Sequence, residues 1–137
     1  MLMSKGVTAQ LIAASEPSAA DIVAVFNQCF AQSYAVVMRG GADEPLYLPA
    51  TLDKPAELIF REDFPASALH EAAHWCIAGE QRRHSPDFAY TYISAPRSDA
   101  EQALFFAAEL RTQALESVFA EAANVIFNPS ADNLTVD

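Results

Sequence analysis

The sequence predicts an α+β fold: a three-helix framework with a few short strands, in a single domain. Three observations predict it. Apolar residues recur at helical spacing near 18–32, 66–78 and 98–125, and short apolar or proline-bounded runs lie between these stretches. The 137 residues suffice for one domain with a real core and no disulfide staples.

Residues 1–17 have no sustained period, run into Ser-Glu-Pro-Ser and are read as a loose N-terminal leader, leaving 18–137 as the single domain. The leader holds one Lys and a short apolar run after Gln10, a poor signal peptide that cannot span a bilayer. A cytoplasmic protein with no membrane partner is expected. Cys29 and Cys76 are the only cysteines, each inside a helical pattern, which suits buried thiols in a reducing compartment.

Ser18 with Asp21 three residues on opens the first helix, in which Ile22, Phe26, Cys29 and Phe30 recur to about Gln32. Tyr34 to Met38 reads as a strand that stops at Gly40-Gly41. Asp43 to Pro49 is extended and bounded by prolines, which rules out a central ladder position and suggests a sheet edge or loop rim. Glu57 to Phe60 is a second strand.

Ser67 to Gly79 is the stretch on which the function depends. Pro65 or Ser67 suits a helix start, Ala66 to Ala73 is rich in helix formers, and Gly79 stands where a left-handed residue ends a helix near Ala78. Leu69, Ala72, Ala73, Cys76 and Ile77 form an apolar arc, with His70 and His74 at its edge and Glu71 and Trp75 beyond. His70-Glu71-x-x-His74 puts both imidazoles on one face, one turn apart, so both can reach a single metal ion with Glu71 beside it. The alternative is a pair of core-edge histidines satisfied by neighbours. The chain has three histidines in all, and two fall at metal-ligand spacing around a Glu.

Arg82 and Arg83 follow the helix, where positive charge is favourable without any function. Phe88 to Ile93 alternates Phe88, Tyr90 and Tyr92 with smaller residues, a strand pattern whose aromatic face is core or a pocket wall. Ser98 and Glu101 form a capping box that starts a long helix running to about Val125. Phe105, Ala108, Leu115 and Phe119 define its inward stripe, with Thr112 within it and Glu109 and Glu116 on the margin. Neither Glu has a Lys or Arg three or four residues away.

A catalytic site of this type adds a third protein ligand and keeps one position open. Glu109, mid-helix at the edge of the packed face, is the choice; Glu116, two turns further on, is the reserve. A net charge of −10 argues against binding a nucleic-acid backbone and suits a cationic partner, or simply solubility.

From about Ile22 to Leu134 the chain resembles the elongation factor P hydroxylases of bacteria. The resemblance is carried by Asp43 to Ala50, Ala66 to Gly79, Arg82-Arg83, Asp87-Phe88 with Tyr90 and Tyr92, Glu109 with Gln113-Ala114-Leu115, and Asp132-Asn133-Leu134. It implies an oxygen-dependent nonheme iron protein that hydroxylates the modified lysine of elongation factor P, with Fe(II) at His70, His74 and Glu109. Where the family has Glu-Val-Lys-Pro-Gln this chain has Glu109 to Gln113 as Glu-Leu-Arg-Thr-Gln, and it ends sooner, so a shortened or diverged member is expected.

Three readings follow. As a hydroxylase, the chain uses two His and one carboxylate to leave positions open for dioxygen and substrate, and Glu71 orients a ligand, a water or the substrate amine. The fold is expected to give the motif helix a zincin-like placement in every reading, and as a zinc peptidase the chain uses Glu71 as general base. As a non-enzymatic module, it only binds metal. Zinc or another divalent ion can occupy such a site in a purified sample.

Overall fold

The architecture was taken from a computed structural model, which describes residues 16–89 and 98–128. Helix α1 (Ala19–Tyr34) starts at the expected box: the Ser18 hydroxyl accepts from the Asp21 N–H at 3.2 Å, and the Asp21 carboxylate accepts from the Ser18 N–H at 3.0 Å. Its packed line runs Ile22, Phe26, Phe30, so Cys29 falls off it and is exposed, contrary to expectation, while Cys76 is half-buried.

Strands β1 (Val36–Ala42), β2 (Leu46–Leu48) and β3 (Ala56–Arg61) form one sheet in the order β1-β3-β2. The central β3 pairs parallel with β1 and antiparallel with β2. Burial on both faces suits β3, where Leu58, Ile59 and Phe60 are all buried. The proline-bounded β2 is an edge strand, as its composition requires, with Tyr47 pointing inward between exposed Leu46 and Leu48.

β1 does not stop at the glycines. It runs through them as an irregularity between Arg39 and Ala42, because a Cβ on Gly40 would sit 2.5 Å from the Glu62 carbonyl and from the Phe60 ring. Glycine is what lets the strand pass so close. On the outer edge of β1, Asn27 of α1 mimics a neighbouring strand: its side-chain oxygen accepts from the Met38 N–H at 2.8 Å and its amide donates to the Met38 carbonyl at 3.4 Å.

Helix α2 (Pro65–Arg82) has Pro65 in its first turn, where the missing N–H is harmless. Its continuous run ends at Ala78, as expected: Gly79, at φ 78° and ψ 173°, breaks it, and a separate last turn is closed by the Arg83 N–H donating to the Gly79 carbonyl at 3.2 Å. The buried side differs from the expected arc. Ala68, Leu69, Ala72, Ala73 and Trp75 are buried, and so is Glu71, whereas Cys76 and Ile77 are only half-buried. The reason is that α2 is covered twice, by α1 and β3 on one side and by the long helix on the other.

A short 3-10 helix (Pro86–Ala89) follows. The strand expected from Phe88 therefore does not begin there: Asp87, Phe88 and Ala89 all have positive φ, and 90–93 lie outside the described residues.

Helix α3 (Asp99–Ala123) opens on Ser98, whose hydroxyl accepts from the Glu101 N–H at 3.1 Å while Glu101 accepts from the Ser98 N–H at 2.8 Å. It closes at Asn124 in the left-handed conformation, and the Val125 N–H reaches back to the Ala120 carbonyl at 2.9 Å. Its inward face keeps Thr112, as expected, but not the apolar residues of the stripe. Glu109, Thr112, Gln113, Glu116 and Ala120 are buried, and Phe105, Ala108, Leu115 and Phe119 are half-buried. α3 packs on the imidazole edge of α2, so a polar face meets a polar face. No helix among the described residues is long and apolar enough to cross a membrane.

Candidate metal centre

The polar interface between α2 and α3 is built from pairs. His70 and His74 stand one turn apart on α2, and Glu116 and Glu109 stand two turns apart on α3. Glu116 meets His70, with its Oε1 2.6 Å from Nδ1, and Glu109 meets His74, with its Oε1 3.6 Å from Nε2. The later residue of one helix faces the earlier residue of the other, so the helices run in opposite senses.

His70 Nδ1 faces the Glu116 carboxylate, which can only accept, so in the neutral ring Nδ1 carries the proton and Nε2 the lone pair. That nitrogen points at its neighbour: the two Nε2 atoms are 3.1 Å apart, with the rings nearly perpendicular at 83°. One donor atom from each of His70, His74 and Glu109 lies within 4.8 Å of the other two.

Electrostatics explain why this cluster suits a cation. Burial pushes His74 down to about 3, with His70 adding to the effect, so its imidazole stays neutral and able to ligate. Burial also opposes charge on His70, but the Glu116 hydrogen bond and the charges of Glu71, Glu116 and Glu109 outweigh it and raise its pKa. Glu71 is 8% exposed, and burial lifts it to about 7 against the pull of His70, with Glu109, Glu116 and Asp87 adding to the rise. Burial likewise raises Glu109. Among the described residues no Lys or Arg pairs with Glu71, Glu109 or Glu116.

These residues fit a metal ion. The buried Glu109 Oε2 has no hydrogen-bond partner among the described residues, an expensive arrangement unless a cation takes it. Two imidazole nitrogens at ordinary ligand distance from one ion would be separated by about 2.9 Å at a right angle and about 3.4 Å at a tetrahedral angle. The observed 3.1 Å lies between them.

All four sequence candidates, His70, Glu71, His74 and Glu109, are brought to this interface. Two features were missed. Glu116 is not a rival of Glu109 but the partner behind His70, a role visible in hindsight from the seven-residue spacing of the two Glu opposite the four-residue spacing of the two His. The second is that Tyr47 and Asp87 join Phe88, itself read as core or pocket wall, beside His74, a grouping that no local pattern announces. Tyr90 and Tyr92 lie outside the described residues.

An α+β domain with a His-His-Glu donor group between two antiparallel helices defines a class, that of proteins able to hold a single metal ion. Comparison with known proteins narrows it. The sequence profile described as Elongation factor P hydroxylase matches residues 25–137. An Elongation factor P lysine hydroxylase of Haemophilus influenzae is 47% identical over 115 residues, covering 83% of this chain and 65% of that protein. This chain belongs to the elongation factor P hydroxylase family, and it spans about two thirds of the length of that relative.

Proposed function

We propose that the chain hydroxylates the modified lysine of elongation factor P, with Fe(II) held by His70, His74 and Glu109. The observation that carries this reading is the gathering of one donor atom from each of His70, His74 and Glu109 within 4.8 Å of one another, in a member of this family. Bound iron would supply dioxygen activation: one oxygen atom enters a carbon–hydrogen bond of the substrate and the other leaves as water, with an external reductant such as ascorbate giving two electrons and two protons.

The chain's own residues divide the remaining work. Glu116 keeps the proton on Nδ1 of His70, so that Nε2 stays a ligand. Glu109 brings a carboxylate across from the second helix. Glu71, buried with a pKa near 7, either holds a proton on its carboxyl or, ionised, receives the ammonium of a lysine-type substrate. The net charge of −10 draws in a cationic side chain and disfavours nucleic acid as a direct partner. We place this activity in the cytoplasm, with its translation-factor substrate.

A zinc peptidase would use the same three ligands with Glu71 as general base; family membership supports hydroxylation instead. The test is anaerobic Fe(II) loading, addition of air, ascorbate and modified elongation factor P, and mass spectrometry of the substrate. The expected result is a gain of one oxygen atom on the lysine. Peptide cleavage by the zinc-loaded protein, or no reaction with either metal, would overturn the proposal.

A further inference from the structure

We propose that Asp87 and Tyr47 are positioning residues of the metal centre, acting through Phe88 on the ring of His74. The inference rests on the metal-centre reading above. Its basis is a stack of three rings: Tyr47 lies on Phe88 with centroids 4.2 Å apart at 16°, and Phe88 lies near parallel to His74 at 6.5 Å and 14°. Phe88 is 4% exposed, so it fills the space beside the imidazole and limits how far that ring can turn.

Holding Phe88 there requires an unusual backbone. Asp87, Phe88 and Ala89 have φ of 49°, 59° and 62°, and none is glycine. Left-handed conformations cost ordinary residues on the order of 1 kcal/mol each, so three in succession need external support.

The support comes from two directions. Asp87 Oδ1 accepts from the Tyr47 N–H at 3.0 Å, using a donor on the outer edge of β2, and the Tyr47 hydroxyl donates to the Arg83 carbonyl at 2.7 Å. From the helix side, Arg82 donates to the Phe88 carbonyl at 3.2 Å. Arg83 itself is fixed, donating through Nε to the Trp75 carbonyl at 3.0 Å with its guanidinium 3.7 Å above the indole. The turn is thus fastened to the sheet edge and to the helix that carries His74. Groups that hydrogen-bond a metal ligand directly typically set affinity by about 10–100-fold, and a support acting through Phe88 is expected at the lower end of that range.

The experiment loads the full chain with Co(II) and reads its visible absorption band and its dissociation constant. Phe88→Leu keeps apolar volume but loses the stack; Asp87→Ala loses the acceptor. Both are expected to shift the band and weaken Co(II) binding about tenfold or more. Asp87→Asn, which keeps an oxygen acceptor and tolerates the left-handed backbone, should restore the wild-type band. Ile22→Ala, in the core of α1 away from the site, should lower the melting temperature and leave the band unchanged, separating positioning from stability. Wild-type band and affinity in folded Phe88→Leu or Asp87→Ala would overturn the inference, as would an Asp87→Asn protein with a shifted band. If the wild type binds no Co(II), the metal centre falls and this inference with it. If the wild type binds Co(II), His70→Ala does not, and the turn variants match the wild type, only the inference falls.

Discussion

Glu116 Oε1 lies 2.6 Å from Nδ1 of His70, while the other nitrogen of that ring lies 3.1 Å from Nε2 of His74. One carboxylate therefore stands behind an imidazole, while a second, Glu109, stands in front. The two glutamates occupy equivalent positions two turns apart on one helix, yet have different chemistry.

This difference predicts an order of metal affinities. Glu116→Ala should weaken binding about 10–100-fold, because it frees the His70 ring without removing a ligand. His70→Ala, His74→Ala and Glu109→Ala should each remove nearly all bound metal, while alanine preserves the helices. Calorimetric titration of the five proteins checks the order; Glu116→Ala falling as far as Glu109→Ala would contradict it.

Removing the metal should loosen the α2–α3 interface, which is lined by two imidazoles and three buried carboxyl groups in place of apolar side chains. Binding energy at such a site is also folding energy. Chelation is expected to lower the melting temperature by several degrees and to raise amide exchange first in α3. Identical melting curves with and without chelator would contradict this.

The metal-free protein has a definite pH response. Glu71 rises from 4.5 to about 7 on folding, so its favourable contribution is present below pH 4.5 and is lost as pH climbs through 7. His74 falls from 6.5 to about 3, so its contribution is present above pH 6.5 and is lost as pH drops toward 3. Glu71→Gln removes the first loss alone. Urea denaturation should show the variant gaining on the wild type between about pH 5 and pH 8, by up to roughly 3 kcal/mol. Parallel pH profiles would show that Glu71 is not desolvated.

Gly40→Ala should destabilise the protein by about 1–3 kcal/mol, since the added methyl meets a backbone carbonyl as well as the Phe60 ring. Gly41→Ala tests a different cause at the neighbouring position: nothing lies near the new methyl, and only the φ of 101° is strained. Equal stability of Gly40→Ala and wild type in chemical denaturation would count against the close passage of β1.

Much of this was legible in the chain. Ser18 with Asp21 and Ser98 with Glu101 marked both helix starts because a capping box is local chemistry, and the prolines around Leu46 to Leu48 marked an edge strand for the same reason. His70 and His74 were legible because their spacing matches one helical turn. Facing was harder. The sequence puts apolar residues on one side of α3 with Thr112 among them, and Thr112 is buried as expected, but the helix also turns Glu109, Gln113 and Glu116 inward because its partner presents imidazoles. Burial of Glu71 is likewise a property of the α2–α3 pair. The three left-handed residues after Pro86 depend on a sheet edge forty positions away in the chain, which no local window contains.

The most direct test of the account is a crystal structure of the Fe(II)-loaded protein prepared anaerobically. The account predicts one ion bound by His70 Nε2 and His74 Nε2, with a Glu109 oxygen within about 2.0–2.2 Å and Glu116 still on His70 Nδ1. An ion held by Glu116, or a Glu109 side chain turned to solvent, would contradict it.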